Sequence, residues 1–407
     1  MNILHINQSD FLGGAAIAGY RLHSALLNRG LDSNLLVGHK KTDDLRVAQV
    51  PRQAWLETQL QRLTSRAGFN YVNHISSFDI PKHPFFEAAD VLNFHNLHNS
   101  YFSYLVIPHL TAKKPTVFTL HDMWSFTGHC AYSYDCSRWQ TGCGRCPFPK
   151  TYPSIRRDST HWVWKLKDWV YSCSRLVIVA PSRWLAEQAK TSMLGRFQIH
   201  HIPNGIDPVA YQPLDRELCR TVLGIPTEKK VLLFSAINLT DARKGGDLLV
   251  KALSQLPNSL KQDCLLLTLG NPSQQLVNFL DMPLMNLGYV SNDRLKAIAY
   301  SAADLFIFPT RADNLPLVLQ ESLACGTPMV SFDIGGVCDL VRPDVTGYLA
   351  TPGDTNDFCS GIIKLLDDKT LHQRMKENCR RIALDEFTLD LQAQRYEELY
   401  KSTLQYA

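Results

Sequence analysis

The stretch Ala303-Asp-Leu-Phe-Ile-Phe-Pro309-Thr-Arg311-Ala-Asp313-Asn-Leu-Pro316-Leu-Val-Leu-Gln-Glu321-Ser-Leu-Ala-Cys-Gly326-Thr-Pro328-Met-Val330 decides how this chain is read. Its apolar run, ended by Pro309, has the make-up of a short buried strand. Pro316 suits a first helical position, Leu317, Val318, Leu319, Leu323 and Ala324 give apolar cover, and Gly326 followed by Pro328 stops the helix. The reading is strand, polar loop, short helix. At about 1.5 Å of rise per residue, Glu321 is expected roughly one and a half turns in, where it can still face a ligand at the helix mouth.

A helix start offers unpaired N–H groups and the positive end of the helix dipole, which suit an anion such as a pyrophosphate. Two carboxylates, Asp313 and Glu321, stand eight residues apart. Placed beyond the phosphates, Glu321 can accept hydrogen bonds from the vicinal hydroxyls of a ribose, and Asp313 from a sugar ring. Taken alone, the same residues also fit a capped helix with two solvated acids, so the rest of the chain must discriminate.

With 407 residues the chain has room for two domains. Hydrophobic residues at 45% and charged residues at 20% exclude disorder. A net charge of +4, with no dense Lys/Arg block, allows attraction to an anionic nucleotide or membrane surface and makes nucleic acid an unexpected partner. The first residues lack a basic segment followed by a long apolar stretch, and no eighteen apolar residues run together. The expectation is a cytoplasmic, non-spanning protein that can sit peripherally at the inner face of the plasma membrane. Of the eleven cysteines, Cys173, Cys219, Cys264, Cys325, Cys338 and Cys359 are scattered singly through segments expected to be buried, as suits reduced thiols.

Working outward, residues 2–6 make a first strand, and Gly13-Gly14 opens a helix running through Ala18, Leu22, Ala25 and Leu26 to Gly30. Further strands are expected at 35–37, 91–94, 116–120 and 176–180, then at 230–235, 264–269, before Pro309 and at 328–332. The alternation of strands and helices predicts parallel, doubly wound sheets. A final amphipathic helix is predicted over 389–404, with Leu391, Tyr396, Leu399 and Tyr400 at helical spacing. Two α/β domains with a ligand cleft follow, because open parallel sheets bind beyond the carboxyl ends of their strands.

Several separate segments now resemble one family, the retaining GT-B-fold glycosyltransferases that use nucleotide sugars, in the large group 1 and its polysaccharide-synthesis branch. The matching pieces are Gly13-Gly14, His121-Asp122, Pro203-Asn204-Gly205-Ile206-Asp207, Arg243-Lys244-Gly245-Gly246, Gly288-Tyr289-Val290, the stretch from Ala303 to Pro328, Gly335-Gly336, and Thr346 to Leu349 with Pro352-Gly353-Asp354. The resemblance spans nearly the whole length and is stronger from 204 to 354. It implies two facing Rossmann-like domains around a central cleft. These are an acceptor domain over 1–203 carrying a Cys-rich loop at 130–147, a donor domain over 204–386, and a terminal helix over 387–407 packing back on the first domain.

The same resemblance implies roles. Lys244 and Arg243 match the basic residues that neutralise the donor pyrophosphate, and Glu321 matches the residue on the donor ribose. Asp313 stands where the family usually has Glu, one methylene longer, so its task is shared with the backbone of Asn314 and Leu315, beside Pro316. An Arg common after the first strand of the donor domain is missing from Ser235 to Ala242, and Arg243 is expected to replace it. His121 aligns with the histidine near the transferred sugar. Gly13 and Gly14 are expected to let the backbone approach the donor or acceptor closely. Asn96, His98 and Asp122 are candidate acceptor contacts, within a polar cluster that includes Asn93, His95 and Asn99.

The implied chemistry is transfer with retention. The donor phosphate helps deprotonate the acceptor hydroxyl, and no protein nucleophile or catalytic cofactor takes part. Cations and a helix start replace a divalent metal. The expected partners are a nucleotide-sugar donor and a glycan or lipid-linked acceptor of exopolysaccharide, capsule or lipopolysaccharide type. The alternatives are a nucleotide-sugar epimerase of the same fold and a binding protein without turnover. Two segments stand apart from this scheme. Cys130, Cys136, Cys143 and Cys146 have the spacing of a structural zinc knuckle, with free thiols or a disulfide as the alternative. Residues 161–171 mix tryptophans with lysines, for which burial is the expectation and a membrane interface the alternative.

Overall fold

The computed structural model describes residues 1–238, 241–271 and 280–405. Its strands form two all-parallel sheets. In the first, β1 (Asn2–Ser9), β2 (Asp32–His39), β3 (Val47–Gln49), β4 (Val91–Phe94), β5 (Thr116–Thr119), β6 (Val177–Ala180) and β7 (Gln198–His201) stand in the order β3-β2-β1-β4-β5-β6-β7. In the second, β8 (Lys230–Asn238), β9 (Cys264–Asn271), β10 (Leu284–Asn286), β11 (Leu305–Phe308), β12 (Met329–Phe332) and β13 (Gly347–Ala350) take the order β10-β9-β8-β11-β12-β13. The chain divides into one unit of Met1–Gly205 with Leu389–Ala407 and another of Ile206–Thr388.

Both sheets are buried on two faces, and neighbouring residues of each central strand feed opposite cores. Leu4, Ile6, Leu92, Phe94, Phe118 and Ile178 share one core, while Ile3, Val91, Val117 and Val179 share the other. In the second unit Val231, Leu233, Phe306 and Phe308 point one way, and Leu232, Phe234, Leu305 and Ile307 the other. The helix Leu389–Gln405 closes the second face of the first sheet with Ala393, Tyr396, Leu399 and Tyr400. Its phenols reach into the sheet: Asn93 Nδ2 donates to the Tyr400 hydroxyl at 2.7 Å, and the Thr119 and Tyr396 hydroxyls are 2.9 Å apart.

The strands at 47–49, 198–201, 284–286 and 347–350 were not anticipated. All four are sheet edges; β3, β7 and β10 have weak apolar signal, and β13 has the half-buried run Tyr348–Leu349. Two other expectations change. Cys173, just past the helix Thr160–Ser172, and Cys338, in the short helical turn Val337–Asp339, are exposed, while Cys219, Cys264, Cys325 and Cys359 are buried as expected. The helix Thr160–Ser172 buries Val163, Lys167, Val170 and Tyr171 but leaves Trp162 and Trp169 outside, 61% and 56% exposed.

Candidate active site

Each sheet has one place where the strand order reverses, between β1 and β4 and between β8 and β11. Open parallel sheets bind ligands at such points. The predicted residues gather at both.

In the second unit the turn after β8 and the loop after β11 are clasped together. Arg311 N–H donates to the Arg243 carbonyl at 2.8 Å, and the Thr310 hydroxyl donates to the same carbonyl at 3.0 Å. Arg311 also forks onto Asp247 with bonds of 2.7 and 2.6 Å. Gly245 makes this clasp possible, because its φ is +72° and a Cβ there would lie 1.8 Å from the Pro309 carbonyl oxygen. Leu239 and Thr240, in the stretch where the family's Arg is missing, lie outside the described residues.

The clasp brings three predicted residues into contact. Lys244 Nζ lies 2.6 Å and Arg243 Nη1 3.0 Å from the same oxygen of Asp313, Oδ2. Asn314 N–H donates to the other oxygen at 3.1 Å, and Gly335 lets a loop pass where a Cβ would sit 2.1 Å from the Asp313 carbonyl oxygen. Burial pushes the Asp313 carboxyl up, but the Lys244 and Arg243 cations outweigh it and hold it below the ordinary carboxylate range. Burial also lowers Lys244, and Asp313 partly offsets that.

Pro316 precedes the helix Leu317–Ala324, one residue later than predicted, and no side chain caps its start. Leu315 is buried behind the loop. Glu321, 4% exposed, is held by partners that the sequence reading missed: the Tyr300 hydroxyl donates to Oε2 at 3.3 Å, and Lys296 Nζ is 3.8 Å from Oε1. Tyr300 and Lys296 lie on the helix Asp293–Ala302, and their four-residue spacing was the available signal.

In the first unit the reversal point is lined by histidines. His5 Nδ1 lies 2.9 Å from His95 Nε2, and His95 Nδ1 lies 2.9 Å from His121 Nε2, in a ladder of stacked rings. Burial lowers all three; His5 and His95 fall well below their ordinary value, and His121 to about 4. Beside the ladder, His98 Nε2 lies 2.9 Å from Asp122 Oδ2, and Trp124 N–H donates to Asp122 Oδ1 at 2.9 Å. Asn96 is buried nearby in sequence, its carbonyl accepting the Tyr101 hydroxyl. Asn93 leaves the candidate acceptor cluster, because it is bonded to Tyr400 and Thr119. Asn99 and Ser100 have φ of +78° and +59°, the left-handed strain that clusters at functional loops.

Gly13 has a φ of +94° at the start of the helix Gly14–Asn28, a backbone conformation that favours glycine, and around Gly14 a Cβ would meet no protein atom within 4 Å. The cysteine loop does not present a ready zinc site. Burial pushes the Cys130 thiol up to about 12 and Cys143 to about 11, and His129 Nε2 sits 3.1 Å from Cys146 Sγ. Among the described residues no group of three or more His, Cys, Asp or Glu side chains could hold a metal ion as placed. No step below passes through zinc.

Residues 12–209 match the family described as Glycosyltransferase Family 4, and residues 215–382 match Glycosyl transferases group 1. WcaC of Escherichia coli (strain K12), named for colanic acid biosynthesis and glycosyl transfer, is 30% identical over 355 residues, covering 81% of this chain and 83% of WcaC. The chain belongs to the GT-B glycosyltransferases. Solved structures agree on the fold of this glycosyltransferase. Sucrose-phosphate synthase from Thermosynechococcus elongatus superposes with a TM-score of 0.74 at 18% identity over 100% of both chains. HepE of Anabaena, in complex with UDP and glucose, gives 0.69 at 19% identity over 99% of this chain and 100% of its own. Both family descriptions and the name of WcaC are those of glycosyltransferases, and they lend the epimerase alternative no support. No described helix is long and apolar enough to cross a membrane.

Proposed function

We propose that this glycosyltransferase moves a sugar from a nucleoside diphosphate to a glycan or lipid-linked acceptor with retention at the anomeric carbon and without a divalent metal. The observation that carries the reading is the convergence of Lys244 and Arg243 on Asp313 Oδ2. Two cations held by one buried carboxylate form a site that is charged before the donor arrives. A diphosphate brings the negative charge these cations can take over, so leaving-group charge is stabilised by groups already in place. In this reading Asp313, with the Asn314 and Leu315 backbone, turns to the sugar, and the uncapped start of the helix after Pro316 meets the phosphates. Glu321, steadied by Tyr300 and Lys296, takes the ribose hydroxyls. His121 hydrogen-bonds the sugar, while His98 with Asp122, and Asn96, meet the acceptor. Gly13 and Gly14 complete the donor contacts.

HepE, of this fold, was solved with UDP and glucose, so UDP-sugars are the first donors to try. Transfer measured in excess chelator, with the product's anomeric coupling read by proton NMR, tests both finer points together. The expected product keeps the donor's anomeric configuration at an unchanged rate. An inverted product, or turnover abolished by the chelator, would contradict the proposal.

The working place we propose is the cytoplasmic face of the plasma membrane. Exposed Trp162 and Trp169 share a helix with Lys165, whose Nζ lies 5.5 Å from the Trp162 ring centre, and exposed Arg156 and Arg157 precede it. Indole rings beside cations suit an anionic lipid interface. Flotation with anionic liposomes should carry the enzyme upward and should fail for Trp162→Ala/Trp169→Ala. Equal flotation of both proteins would refute this contact.

A further inference from the structure

A tyrosine at a protein surface usually packs its ring and turns its hydroxyl to water. Tyr152 does the reverse. Its hydroxyl donates to Asn99 Oδ1 and lies 3.3 Å from His98 Nδ1, which withdraws the polar end from solvent and pushes the phenol up, while the residue stays 55% exposed. What the side chain shows outward is chiefly ring carbon. The ring is also held still. It meets the His98 ring edge-on with centroids 5.6 Å apart, and the other nitrogen of His98, Nε2, is held 2.9 Å from Asp122 Oδ2. Asn99 Nδ2 donates to Gln8 Oε1, so the amide that accepts the phenol is itself oriented. The backbone is tied as well. Ala131 N–H donates to the Tyr152 carbonyl and Met123 N–H to the Ala131 carbonyl, each at 2.9 Å, so Ala131 of the cysteine loop links Tyr152 to the segment after β5.

We infer that Tyr152 is a stacking platform for a sugar ring of the acceptor, and that the cysteine loop serves to bring this ring beside the loops after β4 and β5. A pyranose has faces of C–H groups and a rim of hydroxyls. Laid on an aromatic ring, it buries carbon against carbon, and its hydroxyls keep their hydrogen bonds at the edge. A ring already fixed at its hydroxyl, its edge and its backbone loses little freedom when the sugar arrives. The phenol proton is committed to Asn99, so the contact offered to the sugar is the ring itself. The inference rests on the reading that puts the acceptor at His98, Asp122 and Asn96, and it adds the surface on which the sugar lies.

The test is saturation-transfer NMR on full-length enzyme deuterated except at its tyrosine rings, with the methyl glycosides of glucose, galactose and mannose as probes. Saturation applied to the tyrosines should pass to one carbon face of at least one glycoside. Tyr152→Phe, made with deuterated phenylalanine, keeps a ring but removes its protons. That transfer should then vanish, while the glycoside still binds the fully protonated variant. In Tyr152→Ala the glycoside concentration for half-maximal saturation should rise about tenfold, the weight of one stacked contact. If Tyr152→Ala does not fold, Tyr152→Phe still decides. No glycoside saturated by the parent's tyrosines, or equal transfer in the parent and Tyr152→Phe, would overturn the platform. Transfer that survives Tyr152→Phe while binding is lost in Asn96→Ala would sink the platform and keep the acceptor reading. Binding that depends on Tyr152 but is unaltered in Asn96→Ala would keep the platform and count against that reading.

Discussion

The two strand-order reversals use opposite electrostatics on the same scaffold. Between β8 and β11 stand two cations and a carboxylate, joined by bonds of 2.6 and 3.0 Å. Between β1 and β4 stand imidazoles kept neutral by burial and joined to each other. A fixed charge suits a diphosphate, whose own charge persists through the reaction. Neutral donors suit hydroxyl groups, where a permanent charge would bring a desolvation cost without a counter-ion. The fold supplies the location, and the loop residues decide what binds there.

Removing the charge should have the largest effect. Lys244→Ala is expected to lower kcat/KM by about 10²–10³-fold, the usual loss when one preorganised charge-stabilising group is deleted. Steady-state transfer assays check this, and a loss below tenfold would put the cationic turn outside the chemistry. Next comes the clasp that builds the turn. Gly245→Ala meets both a positive φ and the Pro309 carbonyl, so destabilisation of about 3 kcal/mol is expected in urea melts. An unchanged midpoint would mean that the turn is not held by that contact.

The smallest effect separates the units by acid. The histidines bind fewer protons folded than unfolded, so their contribution is whole above pH 6.5 and is lost as pH falls through their lower folded values, about 4 for His121. Asp313 has a depressed value, so its contribution is whole above the ordinary 3.8 and is lost only as pH falls through the lower folded value. Hydrogen exchange at stepped pH should therefore show residues around β1, β4 and β5 loosening at milder acidity than those around β8 and β11. The reverse order would show that neutral histidines do not set the first unit's acid limit.

Much of this was legible in the residues. The apolar run from Leu305 to Phe308 and the stops at Gly326 and Pro328 announced the strand and helix around Asp313, because local chemistry dictates them. The basic turn was legible as a turn, from Gly245-Gly246 after two cations, while its ion pairs with Asp313 were not. What escaped depended on contacts across the fold. His5 looks like any strand residue until β4 brings His95 beside it, 90 positions away. Asn93 looked like a ligand contact because its bond to Tyr400 spans 307 positions. The tryptophans were misjudged because the same helix buries Lys167, whose ammonium donates to the Trp124 and Thr127 carbonyls.

The Tyr396 and Tyr400 hydroxyls fill polar sites in a sheet whose strands all come from residues 2–201. During synthesis, residues 206–388 can therefore collapse as a self-contained body while the earlier segment still lacks the tyrosine bonds of Asn93 and Thr119. Loss of this seventeen-residue helix would strip both bonds and uncover Ile3, Val91, Val117 and Val179, so a truncated chain should fail in the half made first.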